Sequence, residues 1–144
     1  MRFLLVIILL GFLGQCRDSS KEFSVRFKDF RIAEQPAGLP GGLAANFRYQ
    51  PSRSLLSATY EPDSLASQTE GAVELETADA AEKVEAYYMT TLRDNGWKVI
   101  QSKNTANEIL IMAESAYSEV VTIIVRGKQP TRIKLYIRRL GRDA

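Results

Sequence analysis

DAAEKVEAYYMTTLRDNGW, residues 79–97, contains the strongest local structural signal in the chain. Apolar residues recur there at three- and four-residue steps, and the charged residues lie largely off that stripe. The stripe consists of Val84, Tyr87, Tyr88 and Leu92. The spacing predicts an amphipathic helix from about Ala80 to Asp94, with this stripe buried against the rest of the fold.

Both ends of this helix have sequence signals. Asp79 has a side chain suited to accept hydrogen bonds from the free amides of the first turn, and Glu82 completes a pattern resembling a capping box. At the other end, Gly96 accommodates the left-handed backbone of a Schellman cap, with Trp97 folding back on Leu92. We therefore expect Asp79 to cap the helix and Gly96 to end it.

Four strand-like runs follow the helix, and the turns between them are short enough for antiparallel neighbours. They cover Trp97 to Gln101, Ile109 to Ala113, Val120 to Arg126 and Arg132 to Arg138. The second and third runs have few polar alternates, so we expect them to be central strands. The last run alternates strictly between apolar and polar residues, which favours an edge strand protected by charge.

Further strands are predicted before the helix, at Leu55 to Tyr60 and Ala72 to Thr77. Alternation also begins at Phe23 and slips by one residue near Lys28-Asp29, where we expect a bulge or turn. Two prolines and three glycines between Gln35 and Gly42 then interrupt regular structure.

These patterns predict an α+β fold in which one amphipathic helix packs on an antiparallel sheet of about five or six strands. The predicted organisation is a signal peptide at 1–15, a tether at 16–22, a strand and Pro/Gly loop at 23–42, and one small domain at 43–140. Apolar content of 45% and charged content of 25% are ordinary globular values.

The N-terminus has the composition of an export signal. Arg2 precedes about eleven nearly unbroken apolar residues, and a positive charge followed by such a run directs a chain out of the cytoplasm. A spanning helix needs about twenty apolar residues, but polar residues return at Gln15. We therefore expect export, with a transmembrane anchor less favoured.

The sequence Leu13-Gly14-Gln15-Cys16 resembles the lipobox of bacterial lipoproteins, although Gln15 stands where that pattern has a small residue. The resemblance implies that Cys16 is acylated and becomes the mature N-terminus. Gly14 and Cys16 also suit an ordinary signal peptidase cutting after Cys16, which would release a soluble product. A third alternative leaves the segment uncleaved. Cys16 is the only cysteine, so no intramolecular disulfide can form.

Residues that support common catalytic chemistry are scarce. The chain contains no histidine, and no glycine motif suited to phosphate follows a strand. Carboxylates could pair for hydrolysis or bind calcium, but their spacing is better explained as the wet faces of a strand and a helix. We expect no enzyme activity, no cofactor and no metal site, and a formal net charge of +2 argues against a dedicated nucleic-acid binder.

Charge is unevenly distributed along the chain. Nine acidic residues face two basic ones between Glu61 and Asp94, whereas seven basic residues face one acidic residue from Arg126 onward. Arg132, Lys134 and Arg138 share one face of the last strand and form a candidate cationic contact patch. This patch would contact an anionic surface or an acidic partner; alternatively, its charges only prevent aggregation at a sheet edge.

The helix and its cap, with Tyr87, Tyr88, Leu92 and Asn95-Gly96-Trp97, also resemble a unit found in small exported bacterial proteins of unassigned role. Together these features favour an accessory or structural lipoprotein that presents a small binding domain at the cell membrane, in the periplasm or envelope. Its expected partners are the membrane, through the lipid, and an envelope protein or anionic surface. The alternatives are a soluble secreted binding domain and, less favoured, a carboxylate-based hydrolase.

Overall fold

A computed structural model describes residues 23–40, 43–62, 68–127 and 129–139. These residues contain eight strands, one α-helix (α1) and one short 3₁₀ turn. The elements are β1 Phe23–Phe27, β2 Phe30–Glu34, the 3₁₀ turn Ala45–Phe47, β3 Arg53–Tyr60, β4 Thr69–Thr77, α1 Ala81–Asp94, β5 Lys98–Asn104, β6 Glu108–Glu114, β7 Val120–Arg126 and β8 Thr131–Arg139.

All eight strands form one antiparallel sheet in the order β1-β2-β3-β4-β8-β7-β6-β5. Neighbours within β1–β4 and within β5–β8 are consecutive along the chain, so each half is a simple meander. The two halves meet where β4 pairs with β8, with Thr69 opposite Arg139 and Thr77 opposite Thr131. The fold is therefore α+β, as the sequence predicted.

Helix α1 packs on one face of the sheet, which we call the inner face, where it contacts β5, β6 and β7. Alternate residues of the strands are buried there together with the predicted apolar stripe of the helix. Side chains with no exposed surface include Val84, Tyr88, Leu92, Ile111, Ile123 and Leu135. Tyr87, the fourth member of the stripe, is half-buried and packs against this core. The inner face is thus filled by side chains.

The C-terminal end of the helix follows the sequence prediction. The amide of Gly96 donates to the carbonyl of Arg93 at 3.0 Å, and the amide of Trp97 donates to the carbonyl of Leu92 at 2.8 Å. Gly96 has a φ of 72°, so the chain leaves the helix through a left-handed residue. These two bonds define a Schellman motif and satisfy carbonyls that the helix leaves free.

The predicted N-terminal cap is wrong. Ala80 occupies the cap position without a side-chain hydrogen bond. The carboxylate of Asp79 accepts instead from Tyr49 and Lys83. Asp79 is one residue too early to cap the first turn, and these competing donors hold its side chain.

The predicted number of strands is also wrong, because the sheet has eight strands rather than five or six. The segment before the Pro/Gly loop folds into the hairpin β1–β2, and β2 pairs with β3 along its whole length. The predicted turn lies at Lys28-Asp29, where Lys28 has a φ of 52°. The N-terminal strands therefore extend the sheet instead of standing apart from it.

The strand containing Arg132 and Arg138 is not an edge strand. It is β8, which pairs with β4 on one side and β7 on the other. Ile133, Leu135 and Ile137 are buried on the inner face as its alternation predicted. Arg132 and Lys134 face the other side, where Glu74 and Glu76 of β4 compensate them. The predicted central positions of β6 and β7 are confirmed.

Replacing Gly96 with alanine tests the left-handed cap. A Cβ at Gly96 would meet no atom within 4 Å, so the cost is conformational rather than steric. We expect Gly96→Ala to lower the free energy of unfolding by about 1 kcal/mol, measured by urea denaturation. Gly38→Ala is the matched control, because Gly38 also has open space but lacks the positive φ. Equal effects of the two substitutions would contradict this account of the cap.

Candidate functional site

The face of the sheet opposite α1, which we call the outer face, exposes many large apolar side chains. Strand register places Phe30, Ile32, Leu56, Tyr60 and Tyr136 on it, and each is about two-fifths exposed. An exposed apolar surface that extends across several strands is characteristic of interaction sites. The outer face is therefore the leading candidate for a functional surface.

A groove crosses this outer face from β2 to β6. Its volume is about 480 Å³, and the exposed surface of its lining is mostly apolar. Phe30 and Tyr60 line one side, and Tyr136 and Met112 line the other. Pockets that hold small ligands have volumes of about 300 to 1,000 Å³ and similar linings.

The groove arises from strand register rather than from any loop. Ala58 lies directly opposite Ala72, and Ala72 lies directly opposite Tyr136. Two alanines side by side on neighbouring strands leave a depression, because each has only a methyl group to fill the space above the backbone. The larger Phe30, Tyr60 and Tyr136 then rise around this floor.

Two charged residues line the groove on its central strands, β4 and β8. Glu70 and Arg138 face each other across the β4–β8 pair and both line it. Gln68 donates a hydrogen bond to the carboxylate of Glu70. The guanidinium of Arg138 makes no hydrogen bond or ion pair with any residue that the structure describes. Arg138 is therefore available to an anionic group in the groove.

The predicted cationic patch is brought onto this same outer face, but its members have different surroundings. Arg132 pairs with Glu76 at 2.8 Å and with Glu74 at 3.2 Å. Lys134 lies 3.8 Å from Glu74. The basic run of the sequence is thus laid against its acidic run, because β8 pairs with β4. Of the three predicted patch residues, Arg138 alone lines the groove.

The predicted lipidation site, Cys16, lies outside the described residues. No helix within the described ranges is both long and apolar enough to span a bilayer. In the same part of the chain, no three acidic, histidine or cysteine side chains are grouped to hold a metal ion.

A second polar cluster connects the segment before β3 to the start of the helix. The hydroxyl of Tyr49 donates to the carboxylate of Asp79 at 2.7 Å, and the ammonium group of Lys83 lies 3.0 Å from both carboxylate oxygens. The hydroxyl of Thr131 donates to the backbone carbonyl of Asp79 at 2.7 Å. These bonds tie three distant parts of the chain together.

The electrostatics of this cluster are those of a structural clamp. Burial, followed by the hydrogen bond to Asp79, raises the pKa of Tyr49 to about 12, so its hydroxyl remains a donor. The hydrogen bonds from Tyr49 and then Lys83 lower the pKa of Asp79. Burial also raises the pKa of Tyr88, whose hydroxyl donates to the carbonyl of Phe47 at 3.1 Å. The tyrosines hold residues 46–49 against the helix.

Sequence reasoning missed the groove. Its floor consists of Ala58 and Ala72, and neither alanine is unusual within its own strand. The sequence contained one signal of the groove. Phe30, Tyr60 and Tyr136 are large and apolar, although the alternation of their strands did not place them in the core. The groove appears only when β2, β3, β4 and β8 are aligned.

Comparison with known proteins gives one similarity. Residues 57–126 match a family model described as START domain-like. This match extends from the middle of β3 to the end of β7, includes α1, and covers just under half of the chain. Neither a curated protein nor a solved structure matches the chain. The hairpin β1–β2 and strand β8 lie outside the matched stretch.

The Asp79 cluster generates a prediction for acid stability. Because the folded state lowers the pKa of Asp79, its contribution to stability is present above the unfolded value of about 3.9 and is lost as the pH falls through the folded pKa. Asp79→Asn should therefore destabilise the protein at pH 7 and have progressively less effect below about pH 4. Urea denaturation of both proteins across that range measures the difference.

Tyr49→Phe is the companion variant, because it removes the largest contribution to the lowered pKa while keeping the ring. Tyr49→Phe should reduce the contribution of Asp79 to the free energy of unfolding at pH 7. That contribution should still decrease in acid, since Lys83 remains beside Asp79. An effect of Asp79→Asn that is constant from neutral to acid pH would contradict the prediction.

Proposed function

We propose that this chain is a membrane-anchored, non-catalytic binding protein whose ligand occupies the groove on the outer face. The observation that carries the proposal is an apolar groove of about 480 Å³ that is lined by Arg138 on a central strand. The match to a START domain-like family supports the proposal, since that family is a ligand-binding fold type.

The chemistry of the groove favours an amphipathic ligand. Phe30, Tyr60, Met112 and Tyr136 offer an apolar body to an acyl chain or a similar tail. Arg138 offers charge-assisted hydrogen bonds to a carboxylate or phosphate. Glu70 already accepts a bond from Gln68, and its negative charge would discriminate against an anion placed on the β4 side. The proposed ligand thus has an apolar tail and a single anionic group close to Arg138.

Catalysis forms no part of this proposal. Hydrolysis by a carboxylate pair needs two acidic side chains about 5 to 10 Å apart across a substrate. Glu70 is the only acidic residue that lines the groove within the described ranges. A binding role requires only the shape and charge that the described residues already have.

The anchor in this proposal is the acylated cysteine that the lipobox-like Leu13-Gly14-Gln15-Cys16 implies. An exported chain with lipid at Cys16 would present its sheet at the membrane, in the periplasm or envelope, within reach of a membrane-derived amphiphile or an envelope protein. A soluble secreted binding domain is the second candidate, favoured by the small residues Gly14 and Cys16 that suit an ordinary peptidase.

The mass of the mature N-terminal peptide distinguishes these two locations. We expect mature protein from membranes to begin at Cys16 and to carry the added mass of acyl groups, because Leu13-Gly14-Gln15-Cys16 resembles a lipobox. Cys16→Ser should remove this mass and release the chain from washed membranes or block its processing. An unmodified mature chain beginning at Arg17 would contradict anchoring and favour the secreted binder.

Binding of a fatty-acid anion tests the groove itself. A fluorescent long-chain fatty acid should bind the purified protein, and Arg138→Gln should weaken that binding about tenfold, the expected loss of a charge-assisted contact. The corresponding long-chain alcohol should bind both proteins alike, because it lacks the charge that Arg138 recognises. Ala72→Phe should reduce binding of both probes, since the new ring would occupy the floor of the groove.

Arg132→Gln is the matched control for Arg138→Gln. Arg132 lies on the same strand and the same face, but it is paired with Glu74 and Glu76 and does not line the groove. It should leave the affinity for the fatty acid within about twofold of the original value. Equal losses in the two variants would indicate a diffuse charge effect and would argue against the groove as the site.

A further inference from the structure

The hairpin β1–β2 has one strongly apolar face. Phe23, Val25 and Phe27 alternate along β1. Register places Val25 opposite Ile32 and Phe27 opposite Phe30 on the outer face, and Phe23 opposite Glu34 at the end of the hairpin. Phe27 is 80% exposed, Phe23 63% and Val25 52%. These side chains, with Phe30 and Ile32 of β2, form an apolar strip on an element that lies outside the START domain-like match.

The opposite face of the same hairpin is polar. Ser24 and Arg26 of β1 alternate with the strip, and Arg26 lies opposite Arg31 of β2. Lys28 adds a further basic residue at the turn. The hairpin is thus amphipathic, with Arg26 and Arg31 on the face opposite the apolar strip and Lys28 at the turn. Elements that lie in the interface of a membrane combine an apolar face with basic residues that attract anionic lipid headgroups.

We infer that the apolar strip of β1–β2 lies in the headgroup region of the bilayer, so that the outer face of the sheet is turned toward the membrane. This inference rests on the proposed anchoring of the chain at the membrane. Six residues separate Cys16 from Phe23, so seven extended Cα–Cα steps limit the distance between the two residues to about 25 Å. An anchor at Cys16 therefore keeps β1 within reach of the lipid surface.

Docking in this orientation connects the strip to the groove. Phe30 belongs to the strip and also lines the groove, and Tyr60 lies directly opposite it on β3. The groove would then face the bilayer from which an amphipathic ligand comes. Aromatic side chains are favourable in the headgroup region, because they have a large apolar area and are enriched at membrane–water interfaces.

Site-directed labelling on vesicles tests the orientation. The probe is an environment-sensitive fluorophore on a single introduced cysteine, Val25→Cys, in the full chain carrying Cys16→Ser. The vesicles contain phosphatidylethanolamine and anionic phosphatidylglycerol, with a quencher on the acyl chains of a fraction of the lipid. The apolar run of residues 3–13 is kept in every variant and is expected to hold the chain on these vesicles without acylation.

Ser24→Cys in the same background is the matched control, because Ser24 is the neighbouring residue on the opposite face of β1. We expect the lipid-borne quencher to reduce fluorescence at position 25 at least about threefold more than at position 24. Phe23→Ser combined with Phe27→Ser should lower quenching at position 25 to that of position 24. Both phenylalanines are exposed, so their replacement leaves the core intact.

Two results would overturn the inference. Equal lipid quenching at positions 24 and 25 would show that the strip does not face the bilayer. Protection of position 25 from aqueous iodide without lipid quenching, increasing with protein density, would show that a second copy of the chain covers the strip. Either result would leave the mass of the mature N-terminus and the fatty-acid affinity unchanged, so the anchor and the groove stand or fall separately.

Discussion

The pairing of β4 with β8 is the constraint on which the rest of the structure depends. Nine residue pairs join these strands, and they link residues as distant as Thr69 and Arg139, 70 positions apart in the chain. Closing so long a loop costs conformational entropy. The pairing offsets that cost by burying Val73 and Leu75 with Leu135 and Ile133 on the inner face. Without it, the chain would contain two separate meanders and only one of them would be covered by the helix.

The same pairing determines how charge is distributed over the molecule. The acidic run of β4 and the basic run of β8 become neighbours, so Arg132 and Lys134 lie against Glu74 and Glu76. Exposed pairs of this kind contribute little each to stability, but opposite charges on facing strands favour one register over its alternatives. Arg138 lies beyond the end of these pairs and keeps an unpaired guanidinium among the described residues. In the sequence Arg138 belongs to the same candidate patch as Arg132 and Lys134. In the fold it differs from them, because no described residue forms an ion pair with it.

The two faces of the sheet have separate roles in the proposed function. The inner face is filled by α1 and by buried aromatic residues, Tyr49 among them. This packed face therefore stabilises the fold. The outer face lacks a covering element within the described residues and has both a groove and an exposed apolar hairpin. A binding protein at a membrane would use this division: a rigid packed side supports an open side, and the open side accepts either a ligand or the lipid surface.

The local elements can be predicted from the sequence. Helix α1, its Schellman cap at Gly96 and the alternation in β8 follow from spacing and from the conformational freedom of glycine, which act over a few residues. The sequence also indicates which residues of β8 face the core. Sequence alone could not determine that β1–β2 joins the sheet, that β8 is central, or that Asp79 bonds Tyr49 instead of capping the helix. These features depend on which distant strands pair and in which register. Ala58, Ala72 and Tyr136 form one groove only after three strands align, so the tertiary structure alone revealed the candidate site.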